Sequence, residues 1–180
     1  MITLYEILFE EIKAEDLSSG GKYIGIQLDS NVNELLELPQ VKEKLDQGWT
    51  FLAKHVSIVP PPFIGGLIQL INNEPLRPKD LKTKWAEFRP EQAKDFANKL
   101  KELSNGQSIQ MEVTEIGVSP DAIAVKVKID EFEAYPPLNA FRHLTLAIPP
   151  GGKAMNSNNI KEWSPVNQQG IILSGVISIL

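Results

Sequence analysis

The sequence predicts an α+β protein with two largely antiparallel sheets and helices packed outside them. Three observations carry that expectation. Strand-like segments outnumber amphipathic helical ones. Residues 109–116 and 122–129 alternate apolar and polar about Ser119-Pro-Asp121, the pattern of an antiparallel hairpin. The helical patterns fall between groups of strands rather than alternating with single strands. A chain of 180 residues buries one good core, or two small lobes sharing one, and no boundary marks independent domains. One bilobal domain over 1–180 is therefore expected, with an acidic N-terminal extension at about 1–20.

Along the chain, Leu4, Ile7, Leu8 and Ile12 sit at helical spacing within residues 3–13. Ser18-Ser-Gly-Gly21 reads as a turn and residues 23–29 as a buried strand. Residues 31–47 suggest a helix with Leu35, Leu38, Val41 and Leu45 inward, broken or restarted at Pro39. Residues 50–59 form a strand that runs into the Pro60-Pro-Pro-Phe-Ile-Gly-Gly66 turn. After a basic connector, Pro90 opens the clearest helix, whose stripe is Ala93, Phe96, Ala97, Leu100 and Leu103. Asn105-Gly106 ends it. The hairpin follows, then a strand over 142–148, a looser polar segment, and a last strand over 171–180 apolar enough to be central in a sheet.

The apolar fraction of 42% and charged fraction of 23% are those of an ordinary globular protein. No apolar run reaches the length of a membrane span, and no basic segment precedes an apolar signal core, so a cytoplasmic protein with no membrane partner is expected. The absence of cysteine agrees with a reducing compartment and removes thiolate nucleophiles and cysteine-ligated zinc. The net charge of −5 is unevenly spread: residues 1–16 carry −4, and the rest only −1. Residues 77–94 hold six bases against three acids, with Trp85 and Phe88 interspersed. Such a stretch is either a solvated connector or a surface that grips a phosphate backbone and stacks a base.

The chemistry is concentrated in the only two histidines. His55-Val-Ser-Ile and His143-Leu-Thr-Leu share the order His, apolar, hydroxyl, apolar. On a strand, His55 and Ser57 point to one face, as do His143 and Thr145, while Val56, Ile58, Leu144 and Leu146 point into a core. Both strings also run into a proline cluster and a glycine pair, Gly65-Gly66 and Gly151-Gly152, an echo consistent with an internal duplication. Two imidazoles and two hydroxyls in one cleft suit phosphate-ester chemistry, because histidine serves as acid or base near neutral pH. Lys54 and Arg142 precede the histidines and by alternation point away from the cleft.

At these residues the chain resembles the two-histidine (2H) phosphoesterase superfamily, in motif order and spacing, from about Tyr23 to the end. The second half is most similar to the cyclic phosphodiesterase domain of plant and fungal tRNA ligases, through Val113-Thr-Glu-Ile-Gly117, His143-Leu-Thr-Leu-Ala147, Pro149-Pro-Gly-Gly-Lys153, Ser157-Asn158 and Trp163-Ser-Pro165. The resemblance implies a bilobal fold with a central cleft, and metal-independent hydrolysis of a cyclic phosphate, typically an RNA 2′,3′-cyclic phosphate. RNA ends or small cyclic nucleotides are the implied partners, with no cofactor and no metal. His55 and His143 then form the acid–base pair, in either order, and Ser57 and Thr145 hold the phosphate oxygens. Lys153, Ser157 and Asn158, in the loop after the second motif, are candidate substrate contacts, and Trp85 joins them as a stacking candidate.

Other chemistries fit less well. Gly20-Gly-Lys22 and Gly151-Gly-Lys153 lack the spacing of a phosphate-binding P-loop, and no nucleophile elbow or His-Glu-x-x-His ligand spacing occurs. The alternative in a different class is a 2H-like module that binds nucleotides or RNA ends without turning them over.

Overall fold

The computed structural model describes residues 12–18, 21–168 and 170–180. The helix expected over 3–13 lies outside them except for Ile12 and Lys13. In chain order the regular elements are α1 (Ala14–Leu17), β1 (Ile24–Leu28), α2 (Asn33–Leu36), α3 (Pro39–Asp46), β2 (Thr50–Phe51), β3 (His55–Val59), α4 (Ile64–Ile71) and α5 (Pro90–Leu103). They continue with β4 (Ile109–Val118), β5 (Ile123–Lys128), β6 (His143–Ile148), β7 (Trp163–Pro165) and β8 (Ile172–Ile179). Short 3₁₀ turns occupy Pro61–Phe63, Asp80–Lys82, Lys84–Glu87, Asp130–Phe132 and Ala154–Asn159. No helix among the described residues is long and apolar enough to cross a membrane.

The strands pair antiparallel throughout, but in one sheet where the sequence predicts two. Six strands close a ring in the order β6-β3-β1-β8-β4-β5, with β5 returning to β6. β2 flanks β6 and β7 flanks β4. Two strands make the closure. β8 pairs with β4 through Ile172–Gly175 and with β1 through Gly175–Ile179, so it joins the halves that the sequence suggests as separate sheets. β6 meets β5 along one edge and β2 and β3 along the other. At Gly175 both partners converge, and a Cβ there would lie 2.7 Å from Ile26 Cγ2 and collide with the Gln27 carbonyl. Only glycine fits such a crossing.

Local sequence explains most elements. α3 starts with Pro39 in its first turn, as a restarted helix should. α5 buries Ala93, Phe96, Ala97, Leu100 and Leu103, the stripe its periodicity predicts. The strand expected over 50–59 is interrupted near Ala53, whose φ of 42° kinks the chain between β2 and β3. α4 is a helix where the sequence suggests a turn. A Cβ on its Gly65 would meet only the flexible end of Arg77, but Gly66 is there for clearance, since a Cβ on it would sit 2.8 Å from Trp85 Cδ1.

That contact corrects the reading of the basic connector. Trp85 is 1% exposed, donates its indole N–H to the Phe63 carbonyl (3.2 Å), and packs with Phe88 and Phe96. Its indole is committed to the core and cannot stack a base. The 3₁₀ turns fold both aromatics inward, and Arg77 pairs with buried Asp80 at 2.8 Å. The connector is a structural strap over α4 and α5.

Candidate functional site: a two-imidazole cavity

The Val56–Leu144 pair joins β3 to β6 and puts both of these side chains in the core. Alternation then turns His55, Ser57, His143 and Thr145 to the opposite face. There all four line one cavity of about 540 Å³. Each motif strand also leads into a 3₁₀ turn that walls the cavity, Pro61–Phe63 on one side and Ala154–Asn159 on the other. A second cavity of about 430 Å³, walled by Leu70, Leu76, Leu81 and Phe88, contains no imidazole or hydroxyl.

His143 is held at both ring nitrogens. Nδ1 lies 3.0 Å from the Phe141 carbonyl, which only accepts, so Nδ1 carries a proton. Nε2 lies 2.8 Å from Ser157 Oγ. Ser157 is 1% exposed and central to this half of the site: its Oγ is also 2.8 Å from Thr145 Oγ1 and 2.7 Å from the Ala154 carbonyl. Burial pushes the His143 pKa below 6.5, and the Phe141 carbonyl partly opposes that shift. Near neutral pH the ring is thus neutral, with a lone pair on Nε2.

His55 is half-buried. Its Nε2 lies 2.9 Å from the Tyr23 hydroxyl, with the two rings 5.4 Å apart. Burial lowers its pKa, and the charges of Lys54 and His143 add to the effect. Burial in turn raises the Tyr23 pKa, so the phenol keeps its proton and can donate to Nε2 of a neutral His55 ring.

Ser157 and Asn158 both line the cavity, whereas Lys153 is exposed at the start of the turn and is not part of the lining. The Asn158 amide N–H donates to the Met155 carbonyl, and its buried Oδ1 has no partner. Arg142 donates to the Tyr135 carbonyl at 2.8 Å and leans on the Phe132 ring, away from the cavity. Lys54 is exposed and likewise outside the lining. Sequence reasoning misses Tyr23, Asn139, Phe63 and Met155. The proline run and the loop after the second motif mark turns but not which way they face, and nothing local ties Tyr23 to a residue 32 positions on. Among the described residues, no three His, Asp or Glu side chains cluster as a metal site.

A closed antiparallel ring with a cavity lined by two imidazoles and four hydroxyls is thus the class of structure the chain defines. No protein-family profile and no curated protein matches the sequence. Among solved structures, one described as the crystal structure of a fungal RNA kinase matches with a TM-score of 0.52 at 15% identity. The match covers 89% of this chain and 45% of that one, so the chain spans less than half of that protein. The two share a fold.

Proposed function

We propose that the protein is a 2H-type phosphoesterase that hydrolyses a cyclic phosphodiester, most readily an RNA or nucleotide 2′,3′-cyclic phosphate. The observation that carries this is the convergence of His55, Ser57, His143 and Thr145 on one cavity. One neutral imidazole takes a proton from water as its oxygen attacks phosphorus. The protonated imidazole gives its proton to the departing ribose oxygen as that P–O bond breaks, leaving a phosphomonoester and a free hydroxyl. Ser57 and Thr145 donate to the non-bridging oxygens and hold the in-line geometry. No step draws on a metal. The structural neighbour is named an RNA kinase, which agrees with a substrate among RNA ends.

One observation favours a second reading, a module that binds without turnover. Both Nε2 atoms are engaged by protein hydroxyls, Tyr23 on His55 and Ser157 on His143. Incubation with 2′,3′-cyclic nucleotides and with an RNA ending in a cyclic phosphate, in EDTA, separates the two. Turnover that survives chelation and is lost in His55→Ala and His143→Ala supports the hydrolase. Binding without turnover in the unaltered protein supports the module, and loss of turnover under EDTA overturns the metal-independent mechanism.

A further inference from the structure

The cavity is unusual for a phosphate site in what lines it. Its polar groups are Tyr23, His55, Ser57, Asn139, His143, Thr145, Ser157 and Asn158; among the described residues no lysine, arginine or carboxylate lines it. The nearby cations are directed elsewhere. Lys126 is the cross-strand neighbour of His143, but its ammonium pairs with Glu115 at 3.0 Å and sits over the Trp163 ring. Lys54 and Lys153 are exposed outside the lining. The rest of the wall is apolar, with Pro60, Pro61, Pro62, Phe63, Ala154 and Met155. Among the described residues, the lining itself therefore carries positive charge only as protons on the two imidazoles, with Lys54 acting on His55 from outside it.

We propose that the cavity selects phosphodiester monoanions and rejects phosphomonoester dianions, so that a monoester product is expelled by the second charge it acquires. The proposal rests on the cavity being a phosphate-ester site, but not on turnover there. A monoanion is neutralised by one imidazolium, the state in which one ring is acid and the other base. A dianion requires both rings charged in one largely apolar cavity, or leaves one negative charge uncompensated.

Each of these protonations works against burial and, for His55, against the charges of Lys54 and His143. The groups facing the two rings offset this only in part, through the acceptors that the Phe141 carbonyl and Ser157 present to a charged His143. Tyr23 and Ser157 are neutral hydroxyls, Phe141 offers a carbonyl, and Lys126 is tied to Glu115. Above the imidazole pKa values, binding a monoanion takes up one proton and binding a dianion takes up two. The ratio of the two dissociation constants should then rise about tenfold per pH unit.

Two stable probes differing by one methyl group test this: 2′-deoxyadenosine 3′-(methyl phosphate), a monoanion at every pH used, and 2′-deoxyadenosine 3′-monophosphate, which acquires its second charge near pH 6. Calorimetric titration at pH 5.5, 7 and 8 should find similar affinities at pH 5.5 and a preference of tenfold or more for the methyl ester at pH 8. Equal or tighter binding of the monoester at pH 8, or no binding of either probe, overturns the proposal. Turnover of a cyclic nucleotide, measured alongside, reports separately on the hydrolase reading. Absent turnover with the charge preference intact refutes only that reading, and turnover with a tightly held monoester refutes only this proposal.

Discussion

Replacing Ser157 with alanine removes a hydroxyl with one proton and three neighbours. When His143 is neutral, Ser157 donates to Nε2 and accepts from Thr145, and the Ala154 carbonyl keeps only a long contact of 3.4 Å from Thr145. When His143 is charged, Nε2 donates to Ser157, whose own proton turns to the Ala154 carbonyl 2.7 Å away. The cationic state thus has one more hydrogen bond, and one of its bonds is charge-assisted. At about 0.5–1.5 kcal/mol per neutral bond, Ser157→Ala should cost roughly 1–3 kcal/mol at pH 8. Below the pH at which the folded ring takes up its proton it should cost about 1–2 kcal/mol more, the extra bond plus the charge assistance. Urea unfolding at pH 8 and at a pH below that point measures both costs, and the His143 ring titration followed by NMR should move to lower pH in the variant. An equal cost at both pH values, or an unmoved titration, would refute this proton accounting.

Gly66→Ala places a Cβ against the Trp85 indole and should destabilise by about 1–3 kcal/mol, read as a lower thermal midpoint, while the far side of the molecule keeps its spectrum. The lowered pKa values of both histidines mean the unfolded chain binds more protons than the folded one once pH drops below 6.5. Denaturant midpoints should therefore hold above pH 6.5, fall as pH is lowered from 6.5 toward the folded values and level off below them, and His143→Asn should flatten that fall. Tyr23→Phe removes the hydrogen bond to His55 Nε2 and should reduce turnover about tenfold, the equivalent of one such bond. Lys153→Ala, outside the cavity lining, should leave turnover within about twofold in a steady-state assay.

The parts of this molecule that are legible in the sequence are those governed by near neighbours. Alternation along His55–Val59 and His143–Ile148 determines which side chains share a face, and the stripe from Ala93 to Leu103 determines which side of α5 is buried. Long-range packing decides the rest. Gly65-Gly66 carries the local mark of a helix breaker, yet it lies in α4, where Gly66 leaves the space that Trp85 fills. Trp85 lies among cations in the sequence and in the core in space, since 3₁₀ turns reverse its direction. One closed sheet replaces two because Gly175 lets β8 serve β1 and β4 together, a pairing with no local signature.

Closure of the ring also changes what kind of machine the cavity can be. The two motif strands are bonded neighbours at the Val56–Leu144 pair, and β1 and β5 hold their other edges, so at that pair their separation is the interstrand spacing of a sheet, about 4.8 Å. Jaws on a hinge would adjust that gap to the guest; two strands bridged to each other and laddered to β1 and β5 in a closed ring do not. Adaptation to different ligands is left to the turns, where Met155, 68% exposed, lines the cavity together with the Pro60–Pro62 run. Such a site is a fixed anvil with a soft lip, and variation in the guests it admits should trace to the two 3₁₀ turns while the strands beneath them stay unchanged.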